Sequence, residues 1–363
     1  MECQQAPWPS DDEYLVEFGR KLTRLRIPLY GSLELTYRCN LKCVHCFQGP
    51  RETCGAALEP EMTTEQVLSV VDEMAEAGCL FLVISGGEPL LRPDFGQVYR
   101  HAKNCGMFVT VLTNGTLVTE QTLELFGDLP PEAVDVTVYG ATSATYEGIT
   151  GIPGSFERCM SGIRRMLDQG VRVKLKTMLM TLNCHEVSAM EDMARSLGVP
   201  FRLDAGLFPC INGDRAPLAY RVAPEDVIRI ELSDPERLRQ WREYYEPRKN
   251  LAISERLYTC GAGVTGFHVN PFGQLQPCLM ARRYRYDLLA GNFAEGWIDI
   301  RTRIRERKAK ASYLCNRCDK RVLCNFCPAF SEMENGSEEV RSEYLCAIGH
   351  LRYNAINDHV GVQ

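Results

Sequence analysis

No stretch of this chain approaches the run of about 18 apolar residues needed to cross a bilayer, which argues against a membrane protein. Its first residues, MECQQAPWPSDDEYL, lack a basic start and an apolar core. No export signal is visible there, so the expected location is the cytoplasm. Basic residues are outnumbered, 41 against 47 acidic, and the net charge of −6 argues against a general nucleic-acid binder. Neither an internal repeat nor a low-complexity tract is present. What the chain has in excess is cysteine, 17 in 363 residues. An odd count in a chain without an export signal points to metal or redox chemistry rather than a disulfide framework. Ten of them fall in spaced groups: three between Cys39 and Cys46, and seven between Cys260 and Cys346.

Hydrophobic content of 45% and charged content of 24% are ordinary for a globular protein, and the length suits one large α/β unit with an appendage. A helix is expected over 10–26, with Ser10 and Glu13 as a capping box and Leu15, Phe18, Leu22 and Leu25 as its apolar stripe. From 33 to 208 strand and helix alternate. The strand candidates are 33–37, 80–85, 107–113, 134–139, 171–180 and 201–208, all rich in β-branched or aromatic residues. One intervening helix starts at Thr63 with Gln66 three residues on, turns Val67, Val70, Val71 and Met74 inward, and stops at Gly78. Six β/α units predict an α/β fold: a partial (β/α)6 TIM-like barrel with its active-site loops at the C-terminal strand ends. The expected divisions are an N-terminal helical extension (1–31), the barrel (32–208), a bridging segment of solvated helix (209–258) and a cysteine-rich domain (259–363). In the last, regular structure is expected to thin out and metal to act as the staple.

CNLKCVHC, residues 39–46, follows the first strand and so occupies the first β/α loop. Three thiolates leave one iron of a 4Fe–4S cluster without a protein ligand; a partial zinc site is the plainer alternative. SGGEP (85–89) ends the second strand. Gly86 and Gly87 let the backbone approach a ligand, and Glu88 offers an acceptor to an ammonium group, unless the stretch is only a tight turn. Asn114 in TNGT is either a ligand contact or part of an Asn-Gly turn. Lys174 and Lys176 share one face of the fifth strand; a buried lysine there needs an anion, and the alternative is that they snorkel to solvent at the sheet surface. Seven cysteines follow a second pattern: Cys260, then Gly273 and Cys278 (C-x12-G-x4-C), then Cys315, Cys318, Cys324 and Cys327 (C-x2-C-x5-C-x2-C), then Cys346. A zinc ribbon is the structural alternative for such pairs. The other cysteines, Cys3, Cys54, Cys79, Cys105, Cys159, Cys184 and Cys210, read as small buried hydrophobes; Cys210 stands out by following the sixth strand near the barrel mouth.

The first motif closely resembles the C-x3-C-x-aromatic-C signature of the radical S-adenosylmethionine (SAM) superfamily, with His45 in the aromatic position. The second resembles the seven-cysteine SPASM domain of radical SAM peptide maturases, one residue short in its last gap. The resemblance implies an enzyme with SAM and three 4Fe–4S clusters as cofactors. Cys39, Cys43 and Cys46 would hold the SAM-binding cluster, Cys260, Cys278 and Cys327 a nearer auxiliary one, and Cys315, Cys318, Cys324 and Cys346 a farther one. It implies reductive cleavage of SAM to a 5′-deoxyadenosyl radical that abstracts hydrogen, and SAM contacts from His45, Ser85, Gly86, Gly87, Glu88, Asn114, Tyr139 and Lys176. Relatives place a carboxylate-binding arginine after the fourth strand; TYEGITGIPGSFERC has none before Arg158. The nearer cluster lacks a fourth cysteine, so its last site is open, or filled by substrate or by a group such as His268, which reads equally as an ordinary hydrogen-bonded histidine. The implied reaction is maturation of a ribosomal peptide, by crosslinking, epimerisation or backbone excision. A separate leader-binding protein and a flavodoxin- or ferredoxin-type electron donor are the implied partners. The catalytic residue that meets substrate is not specified. The rival readings are a sulfatase-maturating or tetrapyrrole-modifying relative, and a non-catalytic zinc or iron–sulfur scaffold.

Overall fold

Alternation along the strands decides which face of the sheet is dry. A computed structural model describes residues 11–49, 60–250 and 254–358; Cys3, Cys54 and Ser10 lie outside them. Helix α1 (Asp11–Leu25) precedes six β/α repeats. These are β1 (Tyr30–Glu34), α2 (Thr64–Glu76), β2 (Phe81–Ser85), α3 (Phe95–Asn104), β3 (Phe108–Thr113), α4 (Glu120–Asp128), β4 (Ala133–Thr137), α5 (Ser143–Thr150) with α6 (Ser155–Asp168), β5 (Val173–Met178), α7 (Val187–Ser196) and β6 (Phe201–Asp204). All six strands are parallel and neighbours in chain order, which is the expected barrel arrangement. Leu33 lies opposite Ile84, Leu82 opposite Val109, Val111 opposite Val134, and Val136 opposite Leu175. These residues form the main core with Val67, Val70, Val71 and Met74 of α2. Each such side chain contributes about 1.5–3 kcal/mol on burial. Intervening residues (Ser32, Glu34, Asp135, Lys176) therefore point to the barrel interior.

Helix α2 starts on the predicted capping box, Thr63 with Gln66, and its chain turns at Gly78, where φ is +101°. The stripe of α1 is only partly realised: Leu22 is buried, while Phe18 and Leu25 are exposed.

Three short strands were not anticipated. Strands β7 (Gly266–Val269), β8 (Gln274–Gln276) and β9 (Tyr286–Asp287) extend the sheet to nine, with β7 parallel to β1 and the others antiparallel. Between barrel and extension lie α8 (Pro224–Glu231) and α9 (Pro235–Tyr245), and after it α10 (Phe293–Arg305), α11 (Pro328–Asn335) and α12 (Glu343–Asp358). Helix α8 is not the solvated face expected of 209–258. It buries Val227 and Ile228, and its Glu231 takes a bidentate pair from Arg352 of α12 at 2.7 and 2.6 Å. Helix α10 packs on β7 and on α2, with Phe293 edge-on to Phe267 at 4.8 Å and its amide donating to Glu73 of α2 at 2.6 Å, and Trp297 Nε1 donates to the Arg26 carbonyl at 2.8 Å. Among the described residues no helix is long and apolar enough to cross a membrane.

Candidate active site

The three-cysteine motif lies on the loop after β1. Cys39, Cys43 and Cys46 are partly buried and close enough that Cys46 raises the thiol pKa of Cys39, and both raise that of Cys43. Burial is the larger cause, lifting Cys39 to about 11 and Cys43 to about 12, with Cys46 also raised. Without metal the three are thiols, so binding iron must displace their protons. Hydrogen-bond donors surround the sulfurs. The Leu41 amide lies 3.4 Å from Cys39 Sγ, the Asn114 amide nitrogen 3.8 Å from it, and the Tyr139 phenol is bonded to Cys43. Such bonds set the potential of a cluster. Cys210 does come to the mouth: its thiol donates to the Cys46 carbonyl at 3.4 Å.

The SGGEP glycines have a steric reason. A Cβ on Gly86 would meet the Thr36 carbonyl at 2.5 Å, and one on Gly87 the Arg38 carbonyl at 2.5 Å. The Gly87 and Glu88 amides donate to those same two carbonyls at 2.7 and 2.9 Å. The second loop is thus zipped against the residues just before Cys39. Glu88 is fully buried and faces the third loop: its Oε1 accepts from Thr113 Oγ1 (2.8 Å) and the Leu90 amide (3.0 Å), and its Oε2 from the Asn114 amide (2.7 Å). Burial pushes its carboxyl up to about 7 against the pull of these donors. The sequence reading offered this carboxylate to an ammonium ligand; in the structure its visible partners belong to the chain.

His45 packs edge-on to Tyr139 at 4.8 Å, and burial lowers it to about 4, so it is neutral at pH 7. Its Nδ1 is buried without a hydrogen-bond partner. Asn114 also donates to Asn40 (2.9 Å), which in turn donates to Thr116 (2.8 Å). Of the two lysines on β5, Lys174 is exposed and Lys176 half-buried. Burial lowers Lys176 to about 8, with Asp135 and Asp204 opposing the shift and Arg202 adding to it.

The C-terminal cysteines gather in two groups. Cys327 is in electrostatic reach of Cys278 and Cys260. Cys324 is in reach of Cys318, Cys346 and Cys315. The second group lines a cavity together with Tyr313 and His350. His268 belongs to neither. It is buried on β7, with Nδ1 3.2 Å from Ser32 Oγ and Nε2 3.1 Å from Glu34 Oε2. The hydrogen-bonding partners Glu34, Asn40, Gln48 and Thr113 were missed. The alternation of Ser32, Glu34 and Thr36 with Leu33 and Leu35 was the available signal for Glu34.

Residues 33–197 match the family model "Radical SAM superfamily". An AdoMet-dependent heme synthase of Methanosarcina barkeri is 29% identical over 332 residues, covering 83% of this chain and 91% of that protein. The antilisterial bacteriocin subtilosin biosynthesis protein AlbA of Bacillus subtilis is 26% identical over 270 residues, 70% of this chain and 55% of AlbA. In fold, the crystal structure of Streptococcus suis SuiB bound to its precursor peptide SuiA superposes with a TM-score of 0.70 at 16% identity, over 95% of this chain and 83% of SuiB. With its three-cysteine loop on a six-strand parallel barrel, the chain carries a radical SAM domain over residues 33–197, and its cysteine-rich C-terminal region makes it similar to the SPASM-type peptide maturases.

Proposed function

We propose that this enzyme uses SAM to modify a peptide or protein, with Cys39, Cys43 and Cys46 holding the SAM-binding 4Fe–4S cluster. The donor set fits: three neighbouring thiols on one loop, shielded by burial, with amide and phenol donors aimed at sulfur. When bound, the cluster supplies the electron that splits SAM into methionine and a 5′-deoxyadenosyl radical. The chain's own residues bind and orient. Gly86 and Gly87 hold the second loop against the cluster loop, and Glu88 ties that loop to Thr113 and Asn114. His45 and Tyr139 wall the cluster loop, and Lys176 offers a cation to a carboxylate. Ser85, at the end of β2, completes the proposed SAM-contacting set.

The observation that carries the peptide reading is the β7–β9 extension. Its strands β7 and β8 join the sheet of β1, whose loop bears the first three cysteines, and they lie in sequence between Cys260 and Cys278, both in electrostatic reach of Cys327. We assign auxiliary 4Fe–4S clusters to that group and to Cys315, Cys318, Cys324 and Cys346. A separate leader-binding protein and a flavodoxin- or ferredoxin-type donor complete the proposed partners. A second reading, a tetrapyrrole substrate, is favoured by the 83% coverage with the heme synthase. Mass spectrometry separates the two. The reconstituted enzyme with SAM and reductant is given, in turn, a short peptide encoded beside its gene and an iron porphyrin carrying propionates. A SAM-dependent mass change confined to the peptide supports the first reading, and one confined to the porphyrin replaces it.

A further inference from the structure

A further group of metal-ligating side chains lies on the outer face of the barrel, between α2 and α3. His101 and Cys105 are one turn apart at the C-terminal end of α3, so both project from the same helix face. Asp72 of α2 faces them. His101 Nε2 lies 2.7 Å from Asp72 Oδ1, and the Cys105 thiol donates to that same oxygen at 3.5 Å. One carboxylate oxygen is thus the meeting point of an imidazole and a thiol, and the three ligand atoms lie within 4.8 Å of one another.

We propose that Asp72, His101 and Cys105 form a zinc site that clamps α2 to α3. Ligand atoms bonded to a tetrahedral Zn²⁺ at about 2.0–2.3 Å stand roughly 3.3–3.7 Å apart. The Asp72–Cys105 separation already has that value, and the Asp72–His101 pair must open by less than about 1 Å. One nitrogen, one sulfur and one oxygen suit a borderline-soft ion such as Zn²⁺ and not Mg²⁺ or Ca²⁺. Asp72 is half exposed and His101 a third exposed, so water can reach the fourth position. The proton balance is simple. Zn²⁺ replaces the Cys105 thiol proton, which leaves to solvent, and the neutral imidazole binds through Nε2 with its remaining proton on Nδ1. The clamp's position gives it a consequence: α2 leads into β2, and α3 runs from the SGGEP loop into β3. A metal bridging the two helices ties together two units that carry the candidate site's second and third loops.

The test uses the full chain with its iron–sulfur clusters loaded under anaerobic conditions, so that the cluster cysteines are occupied. Zn²⁺ alone is the probe. After gel filtration, about one zinc per chain is expected in addition to iron, with a mixed sulfur, nitrogen and oxygen shell in X-ray absorption. Asp72→Ala, His101→Ala and Cys105→Ser should each weaken zinc binding at least tenfold while leaving iron content unchanged. Zinc should raise the melting temperature of the wild type and not of the variants. Three results would each overturn the proposal: no retained zinc, an all-sulfur shell, or zinc binding indifferent to the three substitutions. Because these side chains are at the surface, each variant's zinc-free melting temperature and iron content report directly that it has folded.

Discussion

His268 Nε2 lies 3.1 Å from Glu34 Oε2, with the two side chains only 1% and 3% exposed. The pair spans the seam between β1 and β7, where the first cluster loop and the C-terminal extension meet. Glu34 Oε1 accepts from Gln48, two residues beyond Cys46, at 3.3 Å. On the other side, Gln276 faces His268 across β7 and β8 and is two residues before Cys278. One buried polar contact therefore lies between the two cysteine regions.

Removing one partner of a buried hydrogen-bonded contact leaves the other short of a bond, at a cost of about 1–3 kcal/mol. His268→Leu is therefore expected to lower the melting temperature of the cluster-loaded protein sharply. His268→Leu combined with Glu34→Met should recover part of the loss, because the carboxyl that lacked its imidazole partner is gone, while Gln48 loses its acceptor. Thermal unfolding under anaerobic conditions measures both. A single variant as stable as the wild type would remove the pair from the list of contacts that fix the seam.

Glu88 makes a pH prediction with a definite sign. Its folded carboxyl, held at about 7, lies above the unfolded value of about 4.3. Between those values the folded state keeps a proton that the unfolded state has released. Stability from this group is full below about pH 4.3 and is lost as pH rises through about 7. Glu88→Gln abolishes that slope. It also sets an amide NH₂ against one of three donors, Thr113, Leu90 or Asn114, costing about 1–3 kcal/mol. Denaturation midpoints compared between about pH 6 and pH 8 test this: the wild type should weaken with rising pH, and the variant should be weaker at the start and flatter. An identical slope in both would show that Glu88 does not titrate there.

Local signals were legible and non-local ones were not. The Thr63–Gln66 capping box and the inward positions of α2 were readable because cap and stripe lie within a few residues of each other. The six parallel strands were readable from their apolar runs. Strands β7, β8 and β9 have four, three and two residues, too few for a period to show. They exist because β7 pairs with β1, more than 200 residues earlier. His268 was open to reading as a ligand because the nearer group lacks a fourth cysteine; its actual partner, Glu34, is 234 residues away. Glu88 was readable as a carboxylate at the site, but not the direction it faces, which depends on where the Thr113–Asn114 turn falls.

The cysteine grouping predicts metal content. Three 4Fe–4S clusters give about 12 iron and 12 sulfide per chain, four of each per cluster. Replacing Cys39, Cys43 and Cys46 with Ala should remove about four iron and abolish reductive SAM cleavage while leaving the rest. Replacing Cys318 and Cys324 should remove a different four, since they belong to the group with Cys315 and Cys346. Iron and sulfide assays on anaerobically reconstituted protein read this directly. A wild-type value reproducibly near four, with the fold intact, would return the C-terminal cysteines to a structural role without clusters.

Lys176 carries the last prediction. It lies on the interior face of β5, and burial lowers it to about 8, with Asp135 and Asp204 pulling the other way and Arg202 reinforcing the shift. A carboxylate bound beside it favours the ammonium form, so binding above about pH 8 must take up a proton. Affinity for SAM is then expected to be flat below about pH 8 and to fall as pH rises toward 10. Lys176→Met removes a charge-assisted hydrogen bond worth about 1.5–3 kcal/mol, roughly 10- to 150-fold in Kd. The variant should also lose the alkaline fall, because nothing at this position is left to titrate. Calorimetric titration of SAM into the loaded protein at about pH 7, 8 and 9 measures both effects. Equal affinity in wild type and variant at pH 7, with parallel profiles above it, would show that the carboxylate is held elsewhere and would leave Lys176 to Asp135 and Asp204 alone.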